Sequence, residues 1–303
     1  MIVSDLSVST LARLLRSEGV TFHTGHFVVR VKSKLSTILE GLHLLYGDCR
    51  LARDDAFTDF HIELDRPRRL RDFFRPQVRF LLDGRAPFLP LPLTQAMPMF
   101  EWGLNWCVTH HANNFLIIHA AVVEKNGKAV MLPAPPGSGK STLCAALVLR
   151  GWRLLSDELT LINLADGAVT PMPRPISLKN QSIDIIRSFS NDATLSKSVK
   201  DTMKGTVALM RPPAHSVNNA QVPCALRWIV FPQFSAGAKS AFTTIEKSRA
   251  FMRVADNAFN YSMLGSSSFK LLADTIDSVT AHEFIFSTLD DAVACFDGLE
   301  ARP

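Results

Sequence analysis

The spacing of apolar residues changes along the chain, and each change marks an element. Residues 5–19 carry apolar positions at helical spacing and predict a helix opening near Ser7 or Ser9. Residues 20–31 alternate enough for a strand or hairpin. Residues 57–64 and 77–82 alternate too, and the second run ends at Asp83-Gly84, a turn signal. The proline-rich stretch 87–98 reads as a connector. Residues 99–112 place Phe100, Trp102 and Trp106 at helical spacing, so these aromatics read as core rather than as a ligand platform.

From residue 114 the pattern sharpens. Residues 115–124 predict a strand, Asn126-Gly127 a two-residue hairpin turn, and 128–134 the returning strand. Residues 141–150 predict a helix with an apolar stripe through Leu143, Ala146 and Leu147, stopped by Gly151. Residues 152–156 predict a strand that ends in Asp157-Glu158. A second hairpin covers 159–164 and 168–170 around Asp166-Gly167. Residues 188–199 are polar and serine-rich and read as a mobile loop, and 226–232 as a buried strand. The tail reads as helix 245–263, loop 265–268, helix 269–277, strand 281–287 and helix 290–299. There is no internal repeat. The alternation of strands and helices predicts α/β architecture with a mixed sheet over 113–303, preceded by a smaller α+β region over 1–112.

Chemistry enters at residues 134–142, Ala-Pro-Pro-Gly-Ser-Gly-Lys-Ser-Thr. This is a Walker A phosphate loop, G-x-x-x-x-G-K-[ST], with Ala134 at the first glycine position. Small residues let the backbone of Ala134, Pro135, Pro136, Gly137, Ser138 and Gly139 curl around phosphate oxygens. Lys140 would neutralise the β- and γ-phosphates, the Ser141 hydroxyl would ligate Mg²⁺, and Thr142 follows on the helix whose N-terminus faces the anion. An apolar strand before the loop and a helix after it are the context such a loop requires. A plain turn between strand and helix is the weaker reading.

Two further sites follow from position. If Asn126-Gly127 is the central pair of the hairpin, Lys125 pairs with Lys128 and the same register sets His119 opposite Ala134, at the mouth of the loop. The competing reading of His119 is a core histidine in an apolar strand. Asp157 and Glu158 end the strand directly after the loop's helix, so they reach the same end of the sheet. One carboxylate there can serve Mg²⁺ and the other an alcohol nucleophile as base. Asp157, shorter and first, is assigned to the metal with Ser141, and Glu158 to the acceptor hydroxyl. The alternative is a solvated strand end.

Composition narrows the classes. A 303-residue chain with 20% charged and 47% hydrophobic residues supports a proper core and argues against disorder. A net charge of +5 suits phosphorylated ligands without implying nucleic acid. Cys49, Cys107, Cys144, Cys224 and Cys295 form no C-x-x-C pair, which predicts a reducing, cytoplasmic setting and no zinc site or disulfide framework. The N-terminus lacks a secretory pattern, and the longest apolar run, 115–123, is too short to span a bilayer.

His119, the loop APPGSGKS and the stretch RGWRLLSDE together resemble the HPr kinase/phosphorylase family and, more distantly, ATP-dependent phosphoenolpyruvate carboxykinase. The stretches PMPRPISLKN (171–180), MKGTVALMRPP (203–213) and FNYSMLG (259–265) resemble the subgroup called HPr kinase-related kinase A, so the likeness covers roughly 114–265. The resemblance implies a P-loop kinase core of the HPr kinase/phosphoenolpyruvate carboxykinase type, using ATP and Mg²⁺. It implies phosphoryl transfer to a Ser/Thr hydroxyl of a small protein or peptide, with a PqqD-like peptide-binding protein as a partner. Lys140, Ser141, Asp157, Glu158 and His119 take the family's catalytic positions. The chain departs from the family at Ala134, at Thr142 (usually Glu) and at Glu158 (usually Asp).

Arg174, Lys179, Lys204 and Arg211 lie in the resembling stretches and are candidates for contacting phosphate or an acidic substrate. A solvated basic face is the alternative. The run 66–79 groups Arg66, Arg68, Arg69, Arg71, Arg75 and Arg79 around Phe73 and Phe74, but no nucleic-acid module surrounds it. His110, His111 and His119 lack the acids or cysteines to complete a metal set. A small-molecule kinase and a nucleotide-binding regulator without turnover remain as alternatives to a protein kinase. A homo-oligomer is left open, and no membrane role is expected.

Overall fold

A computed structural model describes residues 1–53, 55–67 and 74–299. The N-terminal part begins with α1 (Val8–Arg16), capped by the Ser7 hydroxyl, which accepts from the Thr10 N–H. The strands β1 (Val20–Thr24) and β2 (Phe27–Ser33) form a hairpin, one of the two readings of 20–31, and α2 (Ser36–Leu45) follows. Next come β3 (Phe60–Asp65), β4 (Gln77–Leu82), a short β5 (Leu91–Pro92) and α3 (Ala96–His111). These strands make one sheet in the order β1-β2-β3-β4-β5, with β2 and β3 parallel. Asp83 and Gly84 have positive φ, as the predicted turn after β4 requires.

The second part contains β6 (Phe115–Ile118), β7 (Ala120–Lys125), β8 (Lys128–Pro133), α4 (Lys140–Leu149), β9 (Arg153–Ser156), β10 (Thr160–Asn163) and β11 (Val169–Thr170). It continues with β12 (Ile176–Lys179), α5 (Gln181–Phe189), β13 (Val199–Thr202), β14 (Gly205–Met210), α6 (Ala214–Asn218) and β15 (Ala225–Phe234). Then follow β16 (Ala241–Thr244), α7 (Lys247–Asp256), α8 (Tyr261–Leu264), α9 (Ser266–Ser278), β17 (Thr280–Phe286) and α10 (Leu289–Asp297). The six-stranded sheet runs β16-β17-β15-β8-β7-β9 and is mixed: β15 is parallel to β8 and β17, while β7 is antiparallel to β8 and β9. The architecture is therefore mixed α/β, as the alternation of elements implies.

The hairpin register holds. Lys125 pairs with Lys128 and the ladder runs back to Ala120 opposite Pro133, around Asn126 and Gly127, both at positive φ. The predicted strand 115–124, however, is two strands. It breaks at His119, where β6 leaves for a three-stranded sheet, β11-β10-β6, and β7 stays in the large one.

The predicted helix 245–263 is also broken, and for a related reason. Residues 257–260 are held against β6: the Asn257 carbonyl accepts from the His119 N–H (2.7 Å) and the Phe259 N–H donates to Ile117 (2.8 Å). Asn260 adds two side-chain bonds, donating to Phe115 O and accepting from the Ile117 N–H. These bonds hold the backbone out of the helix, with Asn257 at φ −94°, ψ 1° and Asn260 at φ −125°, ψ 17°, where sequence periodicity would continue it. The reading of 265–268 as loop gives way to α9 starting at Ser266, because Gly265 takes the turn in a backbone conformation open to glycine.

Helix α5 and the sheet β12-β14-β13 were not expected. The stretch 188–199, read as a mobile loop, is tied to β14 by Ser196 N–H to Leu209 O (2.8 Å), Arg211 N–H to Thr194 O (2.9 Å) and a Leu195–Met210 bridge.

One hydrophobic cluster joins the two parts: Phe22, Phe80, Phe100 and Leu104 pack with Phe115, Ile117, Leu161, Met172 and Leu209. Within the N-terminal part α3 lies on β4, and Gly103 makes that approach possible, since a Cβ there would fall 2.2 Å from the Phe80 ring. Gly103→Ala is expected to destabilise the protein by about 1–3 kcal/mol through overpacking, measured by urea unfolding. A neutral result would mean that α3 and β4 can separate without cost.

Candidate functional site

The loop after β8 turns on two glycines in the left-handed region. Gly137 and Gly139 sit at φ 87° and 89°, and space for a Cβ at Gly137 is open. Ala134 has no positive φ, so its methyl group costs nothing in backbone terms there. The Ser138 N–H donates to Pro135 O and its carbonyl accepts from the Phe234 N–H of β15 (3.0 Å), which pins the loop to the neighbouring parallel strand. Thr142 turns away from the loop, donating to the Ser182 hydroxyl on α5 (2.7 Å).

Lys140 opens α4 and is buried, yet its ammonium has no hydrogen-bond partner among the described residues. Burial lowers its pKa, while Asp157 and Glu158 favour its charge. A buried ammonium without a partner at the start of a helix fits an anion of several oxygens.

The acids follow from the strand break at His119. Val122 pairs with Ser156 on one side of the break and Ile118 with Thr160 on the other. The two pairs keep one antiparallel register, so residues 119–121 face 157–159 across the gap where both chains change sheet. Thr160 secures the gap by donating to Ala120 O. Histidine and both acids are thereby brought together by a single feature of topology.

The two carboxylates differ. Asp157 is buried; its Oδ2 accepts from the Ser177 N–H (3.0 Å), and its Oδ1 has no hydrogen-bond partner among the described residues. Burial raises its pKa above the ordinary value, against the pull of Lys140 and of the Ser141 hydroxyl. Burial would raise Glu158 too, but Lys204, Lys179, Lys140 and Arg174 outweigh it and hold that carboxyl below its usual range. Lys179 and Lys204 stand 3.9 and 3.7 Å from Glu158 Oε1, and Asn105 donates to Oε2 (2.5 Å).

Three of the four basic candidates therefore gather at the site. Arg211 does not: it grips Asp48 through Nε and Nη2 (3.0 and 2.6 Å), joining the two parts of the chain away from the acids. In the arginine run, Arg79 forms a paired bond to Asp65 at 3.0 and 2.8 Å, while Arg68, Arg69, Arg71 and Phe73 lie outside the described residues.

Sequence reasoning missed the contribution of α3. Glu101, Trp102 and Asn105 line a small cavity of about 20 Å³ with Ser156, Asp157, Glu158, Arg174 and Ser177. Trp102, read as core, is a partly exposed wall of the site with the Lys204 ammonium 5.5 Å from its ring centre. Arg174 donates to Asn105 Oδ1 and lies 3.6 Å from Glu101, which in turn accepts from the Tyr46 hydroxyl (2.6 Å). Glu101 and Asn105, polar residues set among the apolar positions of α3, were the available signal.

His119 is half-buried against Phe259, with ring centres 5.8 Å apart. Burial lowers its pKa to about 4, helped by Lys140 and partly opposed by Glu158. No group of three or more His, Cys, Asp or Glu side chains among the described residues could hold a metal alone. Ser141 and Asp157 with its free Oδ1 fit Mg²⁺, which takes few protein ligands and keeps substrate oxygens and water. All five cysteines are free, and no helix among the described residues is long and apolar enough to cross a membrane.

Comparison with known proteins gives limited matches. Residues 95–199 match the family described as SynChlorMet cassette protein ScmC, a span that includes α3, the loop and both acids. Among solved structures, the chain is similar to the Hpr(Ser) kinase/phosphatase from Coxiella burnetii. That match has 12% identity and a TM-score of 0.29, and covers 61% of this chain and 97% of that one. No curated protein matches.

The His119 environment makes a measurable statement. Its imidazole should titrate near pH 4 by NMR in the free protein. Because the folded pKa is depressed, the buried neutral ring contributes stability above the unfolded value of about 6.5 that is lost as pH falls toward 4. His119→Gln should flatten that part of the stability profile. An imidazole titrating near 6.5 would place His119 in solvent, away from Lys140.

Proposed function

We propose that the chain is an ATP-dependent phosphotransferase of the HPr kinase-like type, acting on a Ser/Thr hydroxyl of a small protein or peptide. The observation that carries the reading is the buried, unpartnered Lys140 ammonium at the start of α4, beside two acids of different character. Such a group is retained where an anion completes it. The loop N–H groups and Lys140 would hold the β- and γ-phosphates, and Ser141 with Asp157 would hold Mg²⁺. When bound, the cation neutralises charge on the transferring phosphoryl group.

Glu158 is the acid kept ionised by its lysines, and it accepts the hydrogen bond of the incoming hydroxyl. Phosphoryl transfer has a loose transition state, so positioning and charge matter more than a strong base. Neutral His119 lines the same gap and gives the acceptor hydroxyl a second polar neighbour. Arg174 fixes Asn105 and through it Glu158. The acceptor class rests on the resemblance of 171–180, 203–213 and 259–265 to kinases of this type, and a PqqD-like carrier for the peptide belongs to the same reading. Residues 113–303 form the catalytic unit, with α3 of the preceding part as its outer wall.

Lys140→Ala should weaken ATP binding or turnover by at least ~10²-fold, the scale of a lost charge-assisted phosphate contact. Calorimetric titration with ATP-Mg²⁺ checks it, and unchanged affinity and turnover would end the phosphate-loop reading. Glu158→Gln should cut phosphotransfer by about 10²–10⁴-fold while sparing nucleotide binding, whereas Asp157→Asn should raise the Mg²⁺ requirement. Mass spectrometry of lysate proteins labelled by the wild-type and variant enzymes reads both effects. Full activity in both variants would refute the mechanism.

A further inference from the structure

Two half-exposed phenylalanines flank the phosphate loop, on opposite sides. Phe259 (52% exposed) faces His119, on the side of the acids. Phe234 (51% exposed) is the last residue of β15, on the other side of β8 from β7 and β9. The position of Phe234 is fixed. Its N–H donates to Ser138 O within the loop, and its ring stands edge-on to the buried Phe286 ring at 5.8 Å and 74°. Gly139 packs so closely here that a Cβ would lie 3.3 Å from Phe234 Cβ and 3.0 Å from Phe286. Phe234 is thus a half-exposed aromatic ring held beside the loop, outside the core that Phe286 fills.

The strand order gives that ring a purpose. A nucleotide lying across the loop has its terminal phosphate toward the acids after β9. Its α-phosphate and nucleoside then leave on the side of β15, where Phe234 ends. We propose that Phe234 is the stacking platform for the base of the bound nucleotide. This rests on the phosphate-loop reading and adds the nucleoside subsite to it. Every base has a π-face, so a platform of this kind discriminates weakly among bases, and ATP and GTP should bind with similar affinity.

The test is calorimetric titration of the full chain with Mg²⁺-ADP, Mg²⁺-GDP and Mg²⁺-pyrophosphate. For wild type, both nucleotides should bind more tightly than pyrophosphate and within a few-fold of each other. Phe234→Ala should weaken ADP roughly tenfold to hundredfold and leave pyrophosphate within about twofold, whereas Phe234→Trp should retain ADP. Phe259→Ala should leave ADP within about twofold. Pyrophosphate binding without any gain from the nucleoside in wild type would overturn the stacking site while leaving the phosphate loop intact. So would equal loss of ADP and pyrophosphate in Phe234→Ala, which would make Phe234 a loop support, or loss of ADP in Phe259→Ala. Failure of wild type to bind pyrophosphate at all would overturn both readings.

Discussion

A lysine ammonium without hydrogen bonds inside a protein is costly, and Lys140, which has none among the described residues, lies within the influence of two acids. Its charge is balanced at a distance by Asp157 and Glu158 rather than by a direct partner. Two carboxylates brought together would repel each other, so each needs its own compensation. Asp157 takes a backbone N–H and the influence of Ser141, and Glu158 takes two lysines and an asparagine. The strand break at His119 is what places these charges in one small volume. A continuous strand through residue 119 would hold β6 and β7 in one sheet and close the gap that the acids occupy.

The charge balance does not stop at the loop. Arg174 brings a buried guanidinium to Glu158, and Glu101 and Asn105 of α3 answer it, with Tyr46 behind Glu101. Burial pushes the Glu101 carboxyl up, and Arg174 and the Tyr46 hydroxyl act against that shift. The N-terminal sheet therefore supplies one wall of the site, and it does so through α3, which Gly103 lets lie close on β4. The Asp48–Arg211 pair fastens the same two parts elsewhere. Displacing α3 would leave Arg174 and Glu158 each short of a partner, so the geometry of the acids is linked to the packing of a region with no phosphate chemistry of its own.

Local signals made much of this readable in the sequence. The loop, Asn126-Gly127 and the acids after β9 lie within one stretch of chain, and a two-residue turn fixes register without tertiary information. The ladder stops at Ala120 and Pro133, one pair short of the His119–Ala134 pairing that the turn predicts. The break at His119 was not readable, because it depends on bonds from Asn257, Phe259 and Asn260, far along the chain. The same distant bonds ended the helix that periodicity extends through 257–260. Trp102 illustrates the limit of helical spacing: the face of α3 that it shares is partly core and partly site wall, and periodicity does not separate the two. The strands β12 and β13 have four residues each, and β14 is buried along its last four positions, so no alternation marks them.

The opposite pKa shifts of the two acids bear on how such a site would work. A pair of carboxylates whose environments push them apart has distinct roles. Asp157, raised by burial, is the one whose charge a bound cation would stabilise most, because a cation removes the penalty that burial imposes. Glu158 is already ionised, but by lysines that are only about a third to two-fifths exposed at their own side chains and reach the rim. An anionic group arriving at that rim competes for Lys179 and Lys204, and any weakening of those pairs raises Glu158 toward a stronger base. Glutamate, one methylene longer than aspartate, suits a position that must reach between two lysines and an asparagine and still face the gap beside His119.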